Sequence, residues 1–155
     1  MVKGLFNMGN PFTGKTSSAI FTQVKKRGGS DYLAKLFVAW SKFETGNYTS
    51  GICKRGNNYF GYTLDKNSKY QNGQVAGSNQ TAGRFGSYDT LQGSVNENYD
   101  WLQRRYKRQD RGVFPDPNSI NDIEQFVKLL KQANYFGEPL AVYTAGVKSH
   151  FGNLT

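Results

Sequence analysis

The sequence predicts a mainly helical α+β protein in which a small β-hairpin lobe lies beside one apolar helix. Residues 31–44 show the apolar periodicity of a helix, with a capping residue before them. Residues 57–88 are rich in Gly, Asn and Ser with short aromatic runs, which is typical of an irregular hairpin. Further helical patterns follow residue 88. At 155 residues, the chain is expected to form one domain around a single core.

The helix over residues 31–44 carries the most informative side chain. Positions i, i+4, i+7 and i+11 share one face at about 100° per residue, and they are Leu33, Phe37, Trp40 and Glu44. The stop signal Thr-Gly-Asn follows Glu44, so its carboxyl lies in the last turn, where the helix dipole disfavours an anion. Burial on the apolar face also disfavours the ionised form of this carboxyl group. We therefore expect a raised carboxyl pKa and a glutamic acid that can deliver a proton near neutral pH.

The remaining elements are placed by capping signals. A helix is expected from residue 91, a second after the N-cap Ser119, and a third that is opened by Pro139. Residues 1–29 are polar and basic, and they are predicted to be an N-terminal extension or docking arm. Residues 30–155 are predicted to form the folded domain.

Composition limits the classes of partner and site. Twenty Lys and Arg against eleven Asp and Glu give a net charge of +9, which favours an anionic partner such as nucleic acid, acidic lipid or an acidic wall polymer. A single Cys excludes an intrachain disulfide, and with a single His no zinc site and no cofactor is expected. The first 29 residues contain no apolar run of the length that a signal peptide or membrane span needs.

Four segments carry a family resemblance. They are Glu-Thr-Gly-Asn at 44–47, Asn-Asn-Tyr-Phe-Gly at 57–61, Arg-Phe-Gly-Ser-Tyr-Asp-Thr at 84–90, and Ala-Asn-Tyr at 133–135 followed by Tyr143. In this order the segments resemble the glucosaminidase domains of glycoside hydrolase family 73. The resemblance implies a lysozyme-like fold and cleavage of the glycan strands of bacterial peptidoglycan. The family includes autolysins, flagellar wall hydrolases and phage enzymes.

The resemblance also implies roles for individual residues. Glu44 matches the catalytic glutamate that acts as general acid on the glycosidic oxygen. Tyr88 matches a cleft tyrosine that orients the bound sugar or steadies the oxocarbenium-like transition state. The substrate-binding group is Asn57, Asn58, Tyr59 and Phe60. The side-chain amides of the two asparagines would hold the turn and form hydrogen bonds with a sugar acetamido group. The rings of Tyr59 and Phe60 would pack or stack beneath sugar rings.

The sequence leaves three possibilities for a second catalytic carboxylate. Glycosidases usually place two acids around the scissile bond, and Asp65 is the only acid between residues 61 and 87. It lies where the family often puts its second acid, so it could activate water for an inverting reaction. Asp89 follows Tyr88 and equally suits a helix cap. Alternatively, no second acid acts, and a substrate acetamido group or ring hydroxyl serves as internal nucleophile.

The sequence therefore predicts a peptidoglycan glycan-strand hydrolase of the endo-β-N-acetylglucosaminidase type. A lytic transglycosylase or muramidase on the same fold is the alternative, and the rival from another class is a noncatalytic basic module that binds cell wall or nucleic acid. Expected partners are peptidoglycan, anionic wall polymers and, through residues 1–29, virion proteins, in preference to nucleic acid. The expected location is the virion, or the bacterial periplasm and cell wall after release.

Overall fold

The computed structural model describes residues 9–77, 84–109 and 114–153. Over these residues it contains six α-helices, one 3-10 turn and a two-stranded antiparallel sheet. In chain order they are α1 (Lys15–Lys26), α2 (Asp31–Glu44), α3 (Gly51–Gly56), β1 (Gln71–Ala76), β2 (Arg84–Tyr88), α4 (Leu91–Arg108), the 3-10 turn (Pro117–Ser119), α5 (Ile123–Gln132) and α6 (Leu140–Gly152). The predicted mainly helical α+β architecture with a small hairpin is confirmed.

Helix α2 is the centre of the core. Ser30 caps it by accepting a hydrogen bond of 3.0 Å from the backbone N–H of Leu33, and the helix ends at Glu44 as predicted. The rings of Phe37 and Trp40 are fully buried, and Trp40 packs edge-to-face on Phe60 with centroids 4.9 Å apart. Both α1 and α6 pack against α2. None of the helices in the described ranges is long and apolar enough to cross a membrane.

The hairpin lobe is joined to the helical body through Asn58. In the hairpin, Val75 pairs with Phe85, and the register shifts near Gly73. The buried amide of Asn58 donates hydrogen bonds to the carbonyls of Tyr62 at 2.9 Å and Gly86 at 2.8 Å. The side chain therefore ties the loop after α3 to strand β2, and both strands pack against α3.

The predicted extension over residues 1–29 needs a correction. Residues 1–8 lie outside the described residues, but α1 covers Lys15–Lys26 and buries Ile20, Phe21 and Val24 in the core. Helix α1 packs against both α2 and α4, so this part of the predicted arm belongs to the folded body. The docking role of the first residues stays a prediction.

The start of α5 also differs from expectation. Ser119, the predicted N-cap, lies in the 3-10 turn, and the helix begins at Ile123. Asp122 is the cap that the structure uses, because its carboxylate accepts from the backbone N–H of Gln125 at 3.3 Å. Helix α6 begins directly after Pro139, as predicted.

The place of α1 in the core gives a stability prediction. Ile20→Ala is expected to lower the free energy of unfolding by about 2–5 kcal/mol, because a fully buried side chain leaves a cavity. Lys26→Ala, at an exposed position of the same helix, is expected to change it by about 0.5 kcal/mol or less. Urea denaturation would measure both. Equal midpoints for the two variants would show that α1 is not part of the cooperative unit.

Candidate active site

The Glu44 carboxyl group is held by a chain of hydrogen bonds from two helices. Tyr143 of α6 donates a short hydrogen bond to Glu44 Oε2. The same hydroxyl accepts a hydrogen bond of 2.9 Å from Trp40 Nε1, one turn earlier on α2. Because the indole N–H occupies the oxygen of Tyr143, the hydroxyl hydrogen is directed at the carboxyl group. Trp40 therefore orients the group that bonds the Glu44 carboxyl.

Gly61 lies close to Oε1, the second oxygen of the Glu44 carboxyl group. Its φ of +69° lies in the left-handed region that favours glycine. A Cβ atom at this position would lie 3.1 Å from Glu44 Oε1, which is closer than ordinary van der Waals contact. Glycine therefore allows the chain to turn at this point and to approach the carboxyl group closely.

The pKa of Glu44 is shifted in the direction that the sequence predicts. Burial raises the pKa from 4.5 to about 7, and the negative charge of Glu138 acts in the same direction. The Tyr143 hydrogen bond favours the carboxylate and limits the rise in pKa. Near neutral pH, both the acid and the carboxylate are therefore populated, as a proton donor requires.

A groove begins at Gly61 and runs along α4. A small pocket of about 160 Å³ is lined by Gly61 together with the aromatic rings of Tyr62, Trp101 and Tyr135. Tyr62 and Trp101 also line a larger pocket of about 680 Å³, between the loop that precedes β1 and helix α4. Gly61 is the residue of the groove that adjoins the Glu44 carboxyl group. Glu44 itself is not among the residues that line either pocket, and its carboxyl group adjoins the Gly61 end of the groove.

A second buried carboxylate lies on the larger pocket. Glu97 of α4 is 2% exposed, and its Oε1 accepts hydrogen bonds from Ser68 Oγ at 2.5 Å and Gln71 Nε2 at 3.2 Å. Burial raises the pKa of Glu97, and the Ser68 hydrogen bond opposes the rise. The sequence analysis missed Glu97. The available signal was its place on the buried face of α4, one turn before Trp101.

A match to a protein-family model identifies the family of this chain. The glucosaminidase family model, described as mannosyl-glycoprotein endo-beta-N-acetylglucosaminidase, matches residues 19–154. The chain belongs to the glucosaminidase family. The resemblance to glycoside hydrolase family 73 is thereby confirmed, and membership supports peptidoglycan hydrolysis.

One solved structure shares the fold of this glucosaminidase domain. It is a type VI secretion system effector-immunity complex from Pseudomonas protegens, with a TM-score of 0.55 and 16% sequence identity. The alignment covers 90% of this chain and 96% of that chain. At this level of identity, the likeness concerns the fold alone. No curated protein matches the chain significantly.

In this glucosaminidase domain, Tyr88 is joined to Glu97. The Tyr88 hydroxyl lies 3.4 Å from Glu97 Oε1 and accepts a hydrogen bond from Gln71 Nε2 at 3.3 Å. Its ring is 2% exposed, and burial raises the pKa of the phenol well above its usual value. The described contacts therefore place Tyr88 in the cluster around Glu97, under the larger pocket. Contact with a bound sugar stays a prediction.

Two of the four predicted substrate-binding residues lie beneath the site. Asn58 and Phe60 are fully buried, and both amide hydrogens of Asn58 are used by backbone carbonyls. This corrects the expectation that they contact substrate, since their side chains do not reach the surface. Asn57 supports the backbone too, by donating to the carbonyl of Tyr88 at 2.9 Å. Tyr59 is partly exposed, with its ring 5.9 Å from that of Tyr48.

The two other acids that the sequence singled out have different surroundings. Asp65 lines the larger pocket, and its Oδ1 accepts from the backbone N–H of Asn67 at 2.8 Å. Asp89 is exposed and accepts from Asn72 of β1 at 2.5 Å, whereas Thr90 is the residue at the N-cap of α4. The predicted capping role of Asp89 is therefore wrong. No cluster of His, Cys, Asp and Glu that could hold a metal ion occurs within the described ranges.

Proposed function

We propose that the protein is an endo-β-N-acetylglucosaminidase that cleaves peptidoglycan glycan strands with Glu44 as general acid. The observation that carries the proposal is the Glu44 carboxyl group, with its pKa of about 7, at the Gly61 end of the groove. A protonated Glu44 would donate its proton to the glycosidic oxygen as the bond to the leaving sugar breaks. Family membership supports the substrate class.

Tyr143 would assist this step by stabilising the product of proton transfer. Burial and the neighbouring Glu44 charge raise the pKa of Tyr143 well above its usual value, so its hydroxyl stays protonated. A hydrogen bond to an ionised acceptor is about twice as strong as one to a neutral acceptor. The Tyr143 bond therefore strengthens as Glu44 loses its proton, and it favours the transition state over the ground state.

The completion of the reaction has two candidate routes. In an inverting reaction, we propose Asp65 as the base that activates water, because it is partly exposed on the larger pocket whereas Glu97 is almost fully buried. In the other route, a substrate acetamido group or ring hydroxyl attacks and Glu44 is the single titrating group. A lytic transglycosylase or muramidase on this fold would use the same Glu44.

A zymogram on purified peptidoglycan tests the proposal. Wild-type protein is expected to clear the wall, and Glu44→Gln is expected not to. An intact wall after incubation with wild-type protein would end the enzyme hypothesis, and tight nucleic-acid binding at physiological salt would then favour the noncatalytic module. Mass spectrometry of the fragments identifies the reducing-end sugar, and an anhydro product, lighter by one water, would reveal transglycosylation.

We further propose that the enzyme acts in the bacterial periplasm or cell wall after delivery by a virion. The structural neighbour is an effector in complex with its immunity protein, so delivery as a toxin with an immunity partner is the alternative. Deletion of residues 1–8 should abolish association with virions and leave cleavage intact, since α1 begins at Lys15. Unchanged association, or loss of cleavage, would contradict the docking role of this segment.

A further inference from the structure

The larger pocket, called the basic groove here, has an excess of positive charge. It lies between the loop that precedes β1 and helix α4, and it is lined by five cationic and three acidic side chains. The cations are Lys69, Arg104, Arg105, Lys107 and Arg108. Its volume of about 680 Å³ falls in the usual range of ligand-binding pockets.

The acids of the basic groove are bonded within the protein. Asp100 accepts from Tyr70 at 2.5 Å and forms an ion pair with Arg27, which is not among the groove residues. Asp65 accepts from the backbone N–H of Asn67. Glu97 accepts from Ser68 and is 2% exposed. Asp100 and Glu97 are therefore committed to internal partners and offset little of the positive charge that a ligand meets, whereas the partly exposed Asp65 faces the ligand beside the five cations.

The walls of the basic groove present exposed cations from two elements. On α4, the exposed guanidinium group of Arg104 donates to the Tyr62 hydroxyl at 3.3 Å, a long bond that uses one of its five N–H groups. On the loop, the exposed Lys69 has its Nζ 5.4 Å from the centroid of the Tyr70 ring. A guanidinium group can bind a carboxylate through two parallel hydrogen bonds. The walls thus suit a ligand with carboxylates.

We propose that the basic groove binds the carboxylates of the peptide stems that peptidoglycan carries on its muramic acid residues. The inference rests on the proposed function and names the part of the substrate that the groove selects. The sugar backbone of the strand is uncharged, so its carboxylates lie on the stems. Because Tyr62 and Trp101 also line the pocket at Gly61, a strand that is cut beside Glu44 brings a stem to the groove. The enzyme then prefers peptide-bearing strands.

Paired substrates test this preference. One is peptidoglycan freed of teichoic acid, and the other is the same material after an amidase has removed its stems and the lactyl carboxylates that this hydrolysis exposes have been converted to amides. Wild-type kcat/KM is expected to be about ten-fold higher on the peptide-bearing strands, the gain typical of a charge-assisted hydrogen bond. The double variant Arg104→Gln with Lys69→Gln should lower this ratio by about ten-fold. Lys128→Gln, an exposed charge change on α5 outside the groove, should leave the ratio unchanged.

Each outcome decides between alternatives. An equal wild-type rate on both substrates, or the wild-type ratio in the double variant, would overturn the peptide subsite. A defect that arises only on walls that retain teichoic acid would assign the groove to a phosphate polymer and would also overturn it. If wild-type protein cuts neither substrate, the proposed function itself falls and the inference falls with it. Lys107→Gln provides a second variant at another exposed groove position and should shift the ratio in the same direction.

Discussion

Replacement of Glu44 by glutamine is expected to lower the rate of peptidoglycan cleavage by about 10²–10⁴-fold, the range that general acid catalysis contributes. Glutamine keeps the shape of the side chain, and its carbonyl can still accept from Tyr143, but it has no proton to give. The rate of release of soluble fragments from labelled walls would measure the loss. Glu124→Gln is the matched control, because Glu124 is exposed and bonds Lys148 at 3.1 Å. A Glu44→Gln variant as active as this control would assign the proton to another acid.

The same variant is expected to be more stable than the wild type at alkaline pH. Folding raises the pKa of Glu44 from 4.5 to about 7, so the folded state binds more protons than the unfolded state between these values. The contribution of Glu44 to wild-type stability is therefore fully present below pH 4.5 and is lost as the pH rises through 7, by roughly 3 kcal/mol at most. Glutamine has no such dependence. Thermal unfolding at pH 4.5 and pH 8 should show that the advantage of Glu44→Gln grows with pH, which also separates lost catalysis from lost folding.

The helical framework around Glu44 could be predicted because its signals are local. Apolar spacing and the Thr-Gly-Asn stop define α2 and place Glu44 on its buried face. The Tyr143 contact could not be derived in this way, since the two residues are 99 positions apart and meet only when α6 packs on α2. Periodicity predicts which face of α6 is buried but not which hydroxyl meets which carboxylate.

The errors have physical causes as well. Residues 1–29 were assigned to an extension because of their basic residues. Within them, Ile20, Phe21 and Val24 of α1 have the spacing of a buried helix face. Glu97 was missed because α4 is rich in polar residues, so its buried face is weakly marked in the sequence. Asn58 was assigned to substrate because an amide in a turn can bond a sugar or a backbone carbonyl equally well. The tertiary structure determines which partner the amide has.

The pH profile of cleavage is expected to shift in opposite directions in two variants. If protonated Glu44 is the acid, wild-type kcat/KM falls as the pH rises through about 7. Tyr143→Phe removes the bond that favours the carboxylate, so the pKa of Glu44 rises and the alkaline limb moves to higher pH. Glu138→Gln removes a negative charge that disfavours ionisation, so the pKa falls and the limb moves to lower pH.

The rates of the two variants should differ in size as well as in pH dependence. Tyr143→Phe is expected to be about ten-fold slower at its optimum, because the carboxylate formed by proton transfer loses a charge-assisted hydrogen bond. It also leaves Trp40 Nε1 without its acceptor, so the rates should be measured at a temperature where the variant is folded. Glu138 is exposed, and its replacement should alter the profile with little change in the maximal rate. Shifts of both limbs in the same direction, or none in either variant, would show that the alkaline limb does not report Glu44.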